Sequence, residues 1–65
     1  MTNKEWNAGI EFLQNSEEGC WIQNGRAEVI VRNMCAGRFT CYKDNEFIKL
    51  VETEVEAMLF LREEE

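Results

Sequence analysis

The dipeptide Asn24-Gly25 narrows the fold more than any other part of the chain. Asn-Gly between runs of alternating polarity is a strong local signal for a two-residue β-hairpin turn, because the central positions of a type I′ turn need positive φ. A turn centred there pairs Gln23 with Arg26, Ile22 with Ala27, Trp21 with Glu28 and Cys20 with Val29. Successive side chains of a strand point to opposite faces. Cys20, Ile22, Ala27, Val29 and Val31 then share one face, and Trp21, Gln23, Arg26, Glu28, Ile30 and Arg32 share the other. The first set is wholly apolar and is expected to face the core.

A helix is expected before the hairpin. Thr2 and Glu5 form a T-x-x-E capping box, which satisfies two amides left open at a helix start. Trp6, Ile10 and Leu13 follow at helical spacing on one face, with Phe12 beside the stripe and Gly9 permitting close packing. Asn15, Ser16 and Gly19 end the helix and begin a turn.

After the short connection from Asn33 to Gly37, Phe39 and Cys41 alternate with Thr40 and Tyr42 in a third strand, Arg38–Lys43. Residues 46–62 admit two readings. Phe47, Leu50, Val51, Val55, Met58 and Leu59 fit one long helix. Alternatively, a fourth strand, Glu46–Val51, follows a turn at Asp44-Asn45 and precedes a helix from Glu54. The second reading is favoured. Thr53 and Glu56 make another T-x-x-E box, wasted in mid-helix, and Val51 and Thr53 are β-branched. The expected fold class is α+β: one domain over residues 1–65, a small antiparallel meander of three or four strands, and a helix at each end.

At 65 residues the chain is long enough for one modest core. Its apolar content of 45% supports such a core and argues against disorder. No apolar run approaches the ~20 residues that cross a bilayer. Glu5 and Glu11 interrupt the first residues, so no signal peptide is expected and the cytoplasm is the expected compartment. Cys20, Cys35 and Cys41 are odd in number and form no C-x-x-C pair. All three are expected to be free thiols. With no histidine in the chain and scattered cysteines, neither a metal site nor a cofactor is expected.

Net charge is −6, unevenly spread. Residues 1–25 carry −3, residues 26–49 carry +2 and residues 50–65 carry −5. This distribution disfavours direct binding to nucleic acid or to anionic membranes, both of which need a basic footprint.

Chemistry offers little to an enzyme. The commonest general base is missing, Ser16 has no identifiable partner, and Cys35, between Arg32 and Arg38, is the single cysteine in a basic setting. The chain is expected to act by presenting a surface, as a monomer that binds another protein. Two surfaces stand out. One is acidic: Glu52, Glu54, Glu56, Glu63 and Glu64, with Glu17 and Glu18 as a second cluster. Glu54 and Glu56 also suit the first turn of a helix, and Glu63 to Glu65 also suit a solubilising tail. Read functionally, such carboxylates imitate a phosphate backbone and meet a basic surface. The other surface is the far face of the hairpin, where Trp21 and Ile30, with Tyr42 and Phe47, form an aromatic contact patch unless the N-terminal helix covers it through Trp6, Ile10 and Leu13.

In size, acidity, free thiols and layout, and through no sequence motif, the chain resembles the small phage-encoded anti-CRISPR proteins, those of type I systems above all, type I-C inhibitors among them. That resemblance implies a DNA mimic acting in the host cytoplasm, blocking target recognition by a basic nucleic-acid-binding protein such as a Cascade complex. The basic middle, Arg26 to Lys49, departs from the pattern unless it turns away from the acidic ends. The alternative is an interaction or assembly module that uses the aromatic face and is acidic for solubility.

Overall fold

The computed structural model describes residues 1–33 and 36–63. Its elements are α1 (Asn3–Asn15), β1 (Trp21–Asn24), β2 (Ala27–Val31), β3 (Phe39–Lys43), β4 (Glu46–Val51) and α2 (Glu54–Arg62). The strands form an antiparallel meander in the order β1-β2-β3-β4. The fold is α+β with a helix at each end, and residues 46–51 are strand.

Local chemistry accounts for each boundary. At the start of α1 the Glu5 amide donates to Thr2 Oγ1 and the Thr2 amide donates to Glu5 Oε1, both at 3.1 Å, completing the capping box. Thr53 caps α2 by accepting from the Glu56 amide at 3.2 Å. Here the reciprocal contact runs between side chains, with the Thr53 hydroxyl donating to the Glu56 carboxylate at 3.1 Å.

The type I′ geometry expected of the first hairpin appears in the β3–β4 hairpin instead. Trp21 pairs with Ile30, Ile22 with Val29, Gln23 with Glu28 and Asn24 with Ala27, so the β1–β2 loop is Gly25-Arg26 and not Asn24-Gly25. Gly25 has φ +61 and Arg26 lies outside the positive-φ residues. Glycine at the first central position is the type II′ pattern. The slip moves one residue on each strand, so every side chain keeps its expected face while every partner changes. Asn24 is thereby freed to donate from Nδ2 to the Leu61 carbonyl at 2.8 Å, tying the end of α2 to the hairpin. The I′-like turn is instead Asp44-Asn45, with φ +54 and +65, between the paired Lys43 and Glu46. Both turns lie at the same end. The Asp44 amide donates to the Arg26 carbonyl at 3.0 Å, and the Arg26 guanidinium donates to the Asp44 carboxylate at 2.6 and 2.5 Å.

The core forms on one side of the sheet. Ala27, Val29, Val31, Phe39, Cys41 and Val51 meet Leu13 of α1 and Ala57, Met58, Phe60 and Leu61 of α2 there. Trp6, Ile10, Cys20 and Ile22 pack around that cluster half-buried. At Gly9 the α1 backbone comes close to the Met58 side chain of α2 and to Ile22 of β1. A Cβ there would lie 2.4 Å from Met58 Cε and 3.5 Å from Ile22 Cδ1. Both helices therefore occupy the same face. The alternative in which α1 covers Trp21 and Ile30 through Trp6, Ile10 and Leu13 is corrected, because that stripe is used up on the core side.

Candidate functional site: an open sheet face and an acidic end

The face of the sheet away from the helices follows from the register. Trp21, Ile30, Thr40 and Leu50 lie in one row across it, and Gln23, Glu28, Tyr42 and Phe47 lie in the next. Trp21 and Phe47 are the most exposed, at 55% and 54%. Leu50 is exposed at its margin, while Ile30, Tyr42 and Glu28 are half-buried by their strand neighbours and Thr40 forms the buried floor. Tyr42 and Phe47 meet edge to face, with ring centroids 6.2 Å apart and planes at 76°. Trp21 also reaches the sheet edge, where it lines a shallow apolar groove with Ala8 and Phe12 of α1.

Trp21, Ile30, Tyr42 and Phe47 thus stand together, as their alternation in sequence predicts. Leu50 escapes a sequence reading because its face depends on an irregularity in β4. Cys41 pairs with Lys49 and Tyr42 with Phe47, leaving Ile48 as an extra residue without a partner. This bulge resets the alternation, so that Leu50 joins Phe47 on the open face while Lys49 turns to the helix side, its Nζ 5.8 Å from the Phe60 ring centre. Ile48 is itself exposed.

The acidic residues divide between two ends. Glu17 and Glu18 lie in the α1–β1 turn, Glu52 in the β4–α2 turn, and Glu54 and Glu56 in the first turn of α2. One arginine ties this end together. Arg38 donates from Nη2 to the Ser16 carbonyl at 3.3 Å, and its Nη1 lies 3.5 Å from the Glu54 carboxylate. Glu63 caps α2 at the opposite end, beside Arg62, whose guanidinium stacks over the Trp6 ring at 4.9 Å. Glu64 and Cys35 lie outside the described residues. The basic middle turns away only in part, with Arg26 at the opposite end beside Asp44. Arg32 and Arg38 line the same cleft as Glu17 and Glu18, so cations are interleaved with the carboxylates.

Cys41, Asp44 and Glu5 titrate away from their ordinary values, each for a local reason. Burial pushes the Cys41 thiol up to about 11, the nearby Lys49 opposing and Glu56 assisting. Cys20 and Cys41 are free. The Arg26 side chain holds the Asp44 carboxyl below its usual range, and hydrogen bonds from Thr2 do the same for Glu5. Among the described residues no cluster of three acidic, cysteine or histidine side chains is placed to hold a metal ion. No helix among them is long and apolar enough to cross a membrane. Comparison of the chain with protein families, with curated proteins and with solved structures gives no match.

Proposed function

We propose that this is a non-enzymatic binding protein that docks another protein on the open face of its sheet. The observation that carries the reading is the placement of both helices on one side. It leaves Trp21, Ile30, Tyr42, Phe47 and Leu50 contiguous on the other. Aromatic side chains of this kind dominate the energetics of protein interfaces, and depletion of charge marks the centre of an interface. Apolar area held in place by β-strands also loses little conformational freedom on binding. The acidity of the rest of the chain keeps it soluble and steers it toward cationic partners.

A second reading has one specific observation in its favour. The fold gathers Glu17, Glu18, Glu52, Glu54 and Glu56 at one end. That end suits a DNA mimic of the anti-CRISPR kind, which would occupy a basic surface on a nucleic-acid-binding protein such as a CRISPR effector complex. Arg32 and Arg38 weaken the field such a mimic needs, so this reading stands second.

Affinity capture from a bacterial lysate, with identification of the captured protein, separates the two. Sheet-face docking predicts that capture survives high salt, is lost in Phe47→Ala and in Trp21→Ala, and persists when Glu54, Glu56 and Glu63 are changed together to Gln. The mimic predicts the opposite order, with steep loss of binding as salt rises and competition by DNA. Capture that survives both aromatic substitutions rules out the sheet face.

A further inference from the structure

Among the strand residues on the open face, Glu28 is the one charged side chain. It sits half-buried on β2, between Gln23 of β1 and Tyr42 of β3, with Phe47 beyond and Ile30 next along its own strand. It takes part in no ion pair or side-chain hydrogen bond among the described residues. Arg26 is held by Asp44, and Lys49 faces α2.

Resting on the sheet-face reading, we propose that the partner delivers an arginine to this face, its guanidinium paired with Glu28 and its plane laid against the Tyr42 ring. A surface that covers Glu28 without a compensating cation buries an isolated carboxylate, which is strongly unfavourable. A wholly apolar partner is thereby disfavoured. A second copy of this chain is disfavoured too, since it brings another Glu28 and a net charge of −6 to meet the first. A cationic side chain turns the same carboxylate into a source of specificity. Arginine fits better than lysine, because its planar, weakly hydrated head can pair with a carboxylate and stack on an aromatic ring at once. The surrounding side chains shield the pair in part from water, and the acidic chain accelerates encounter with a basic surface.

The test titrates isotopically labelled protein with the peptide acetyl-Leu-Arg-Leu-amide and with its citrulline counterpart, following backbone amide shifts. Citrulline keeps the shape and removes the charge. Saturable shifts at Gln23, Glu28, Tyr42 and Phe47 are expected, with the arginine peptide binding about three- to five-fold more tightly, the scale of a partly exposed ion pair. Glu28→Gln should abolish that preference, and Glu28→Lys should reverse it toward acetyl-Leu-Glu-Leu-amide. Both variants should keep the wild-type amide pattern elsewhere. Equal binding of the arginine and citrulline peptides at this face overturns the arginine while leaving the sheet-face reading standing. Shifts that map to Glu17, Glu18 and Glu54 overturn both. An absence of saturable shifts overturns the proposal, as does sedimentation of a dimer whose formation the Phe47→Ala substitution prevents.

Discussion

The two faces of the sheet are built from alternate residues of the same strands, yet they obey different rules. On the helix side Ala27, Val29, Phe39 and Cys41 are fully buried. On the other side Trp21 and Phe47 expose more than half of their surface. Composition distinguishes them only in part, since the open face carries Gln23, Glu28 and Thr40 yet is otherwise apolar through Trp21, Ile30, Tyr42, Phe47 and Leu50. What differs is whether a second layer arrives. Gly9 and the stripe of α1, together with Ala57, Met58 and Leu61 of α2, complete the first face, and the described residues supply no third helix for the second. An apolar face is therefore no evidence of a core by itself.

The contrast can be broken most directly by truncating one phenylalanine on each side. Phe39→Ala should remove about 3–5 kcal/mol, because the transfer loss and the cavity add at a site with no access to water. A domain this small has a total stability of similar size, so the variant should be largely unfolded at room temperature. Phe47→Ala should remove less than about 1 kcal/mol, as exposed substitutions do. Chemical denaturation of the two variants measures the difference. Similar losses would mean that the open face carries folding energy comparable to the core.

Thiol chemistry sharpens the same contrast. Cys41 faces the helices, and its thiol is raised from an ordinary value of 9.0 to about 11. Its thiolate fraction near neutral pH is then about 100-fold lower than that of an unperturbed cysteine, before any loss of access is counted. In native protein Cys41 should react with a disulfide reagent far more slowly than the half-buried Cys20, and in denatured, unreduced protein all three cysteines should titrate. Rapid native labelling of Cys41 would show that the helix-covered face opens readily.

The turn that sorts side chains onto the two faces should have a smaller effect. Gly25 holds φ +61 with open space around its Cβ position, so Gly25→Val meets no neighbour and pays only in backbone strain. A loss on the order of 1–3 kcal/mol is expected in the denaturation midpoint. An unchanged midpoint would mean that the hairpin relaxes to another turn without penalty.

These cases mark what can be read from sequence. Alternation along β1 and β2 gives the faces correctly, because face depends on parity, and the slip from Asn24-Gly25 to Gly25-Arg26 preserves parity. The partners are not readable, since both registers place apolar residues together. The strand assignment of residues 46–51 follows from the Thr53 cap and the β-branched residues before it, while the bulge at Ile48 has no local signal and depends on how β4 meets β3. The stripe of α1 announces that the helix packs. That α1 packs beside Met58 and Ile22, through a contact between distant segments at Gly9, is not readable from the stripe alone. For the candidate site, Trp21, Ile30, Tyr42 and Phe47 are legible by alternation, whereas Leu50 depends on the bulge. The gathering of Glu17 and Glu18 with Glu54 depends on α1 and α2 running antiparallel.

The smallest effect tests whether the open face has any cohesion of its own. Tyr42 and Phe47 pair across β3 and β4 at 6.2 Å and 76°, within the range where edge-to-face rings attract. Buried pairs of this kind are worth about 0.5–1.5 kcal/mol beyond their area. Phe47 is 54% exposed, so the coupling here should fall at the low end, about 0.5 kcal/mol. A double-mutant cycle of Tyr42→Ala, Phe47→Ala and the pair, read by denaturation, isolates it from the separate cost of each truncation. A coupling above about 1.5 kcal/mol would make the outer rings a second small core, and the distinction between the faces would fail. A coupling near zero would leave each ring positioned by its strand alone and free to turn toward a ligand. The expected value lies between, where the rings hold each other in place without being needed for folding, as a surface prepared for a partner requires.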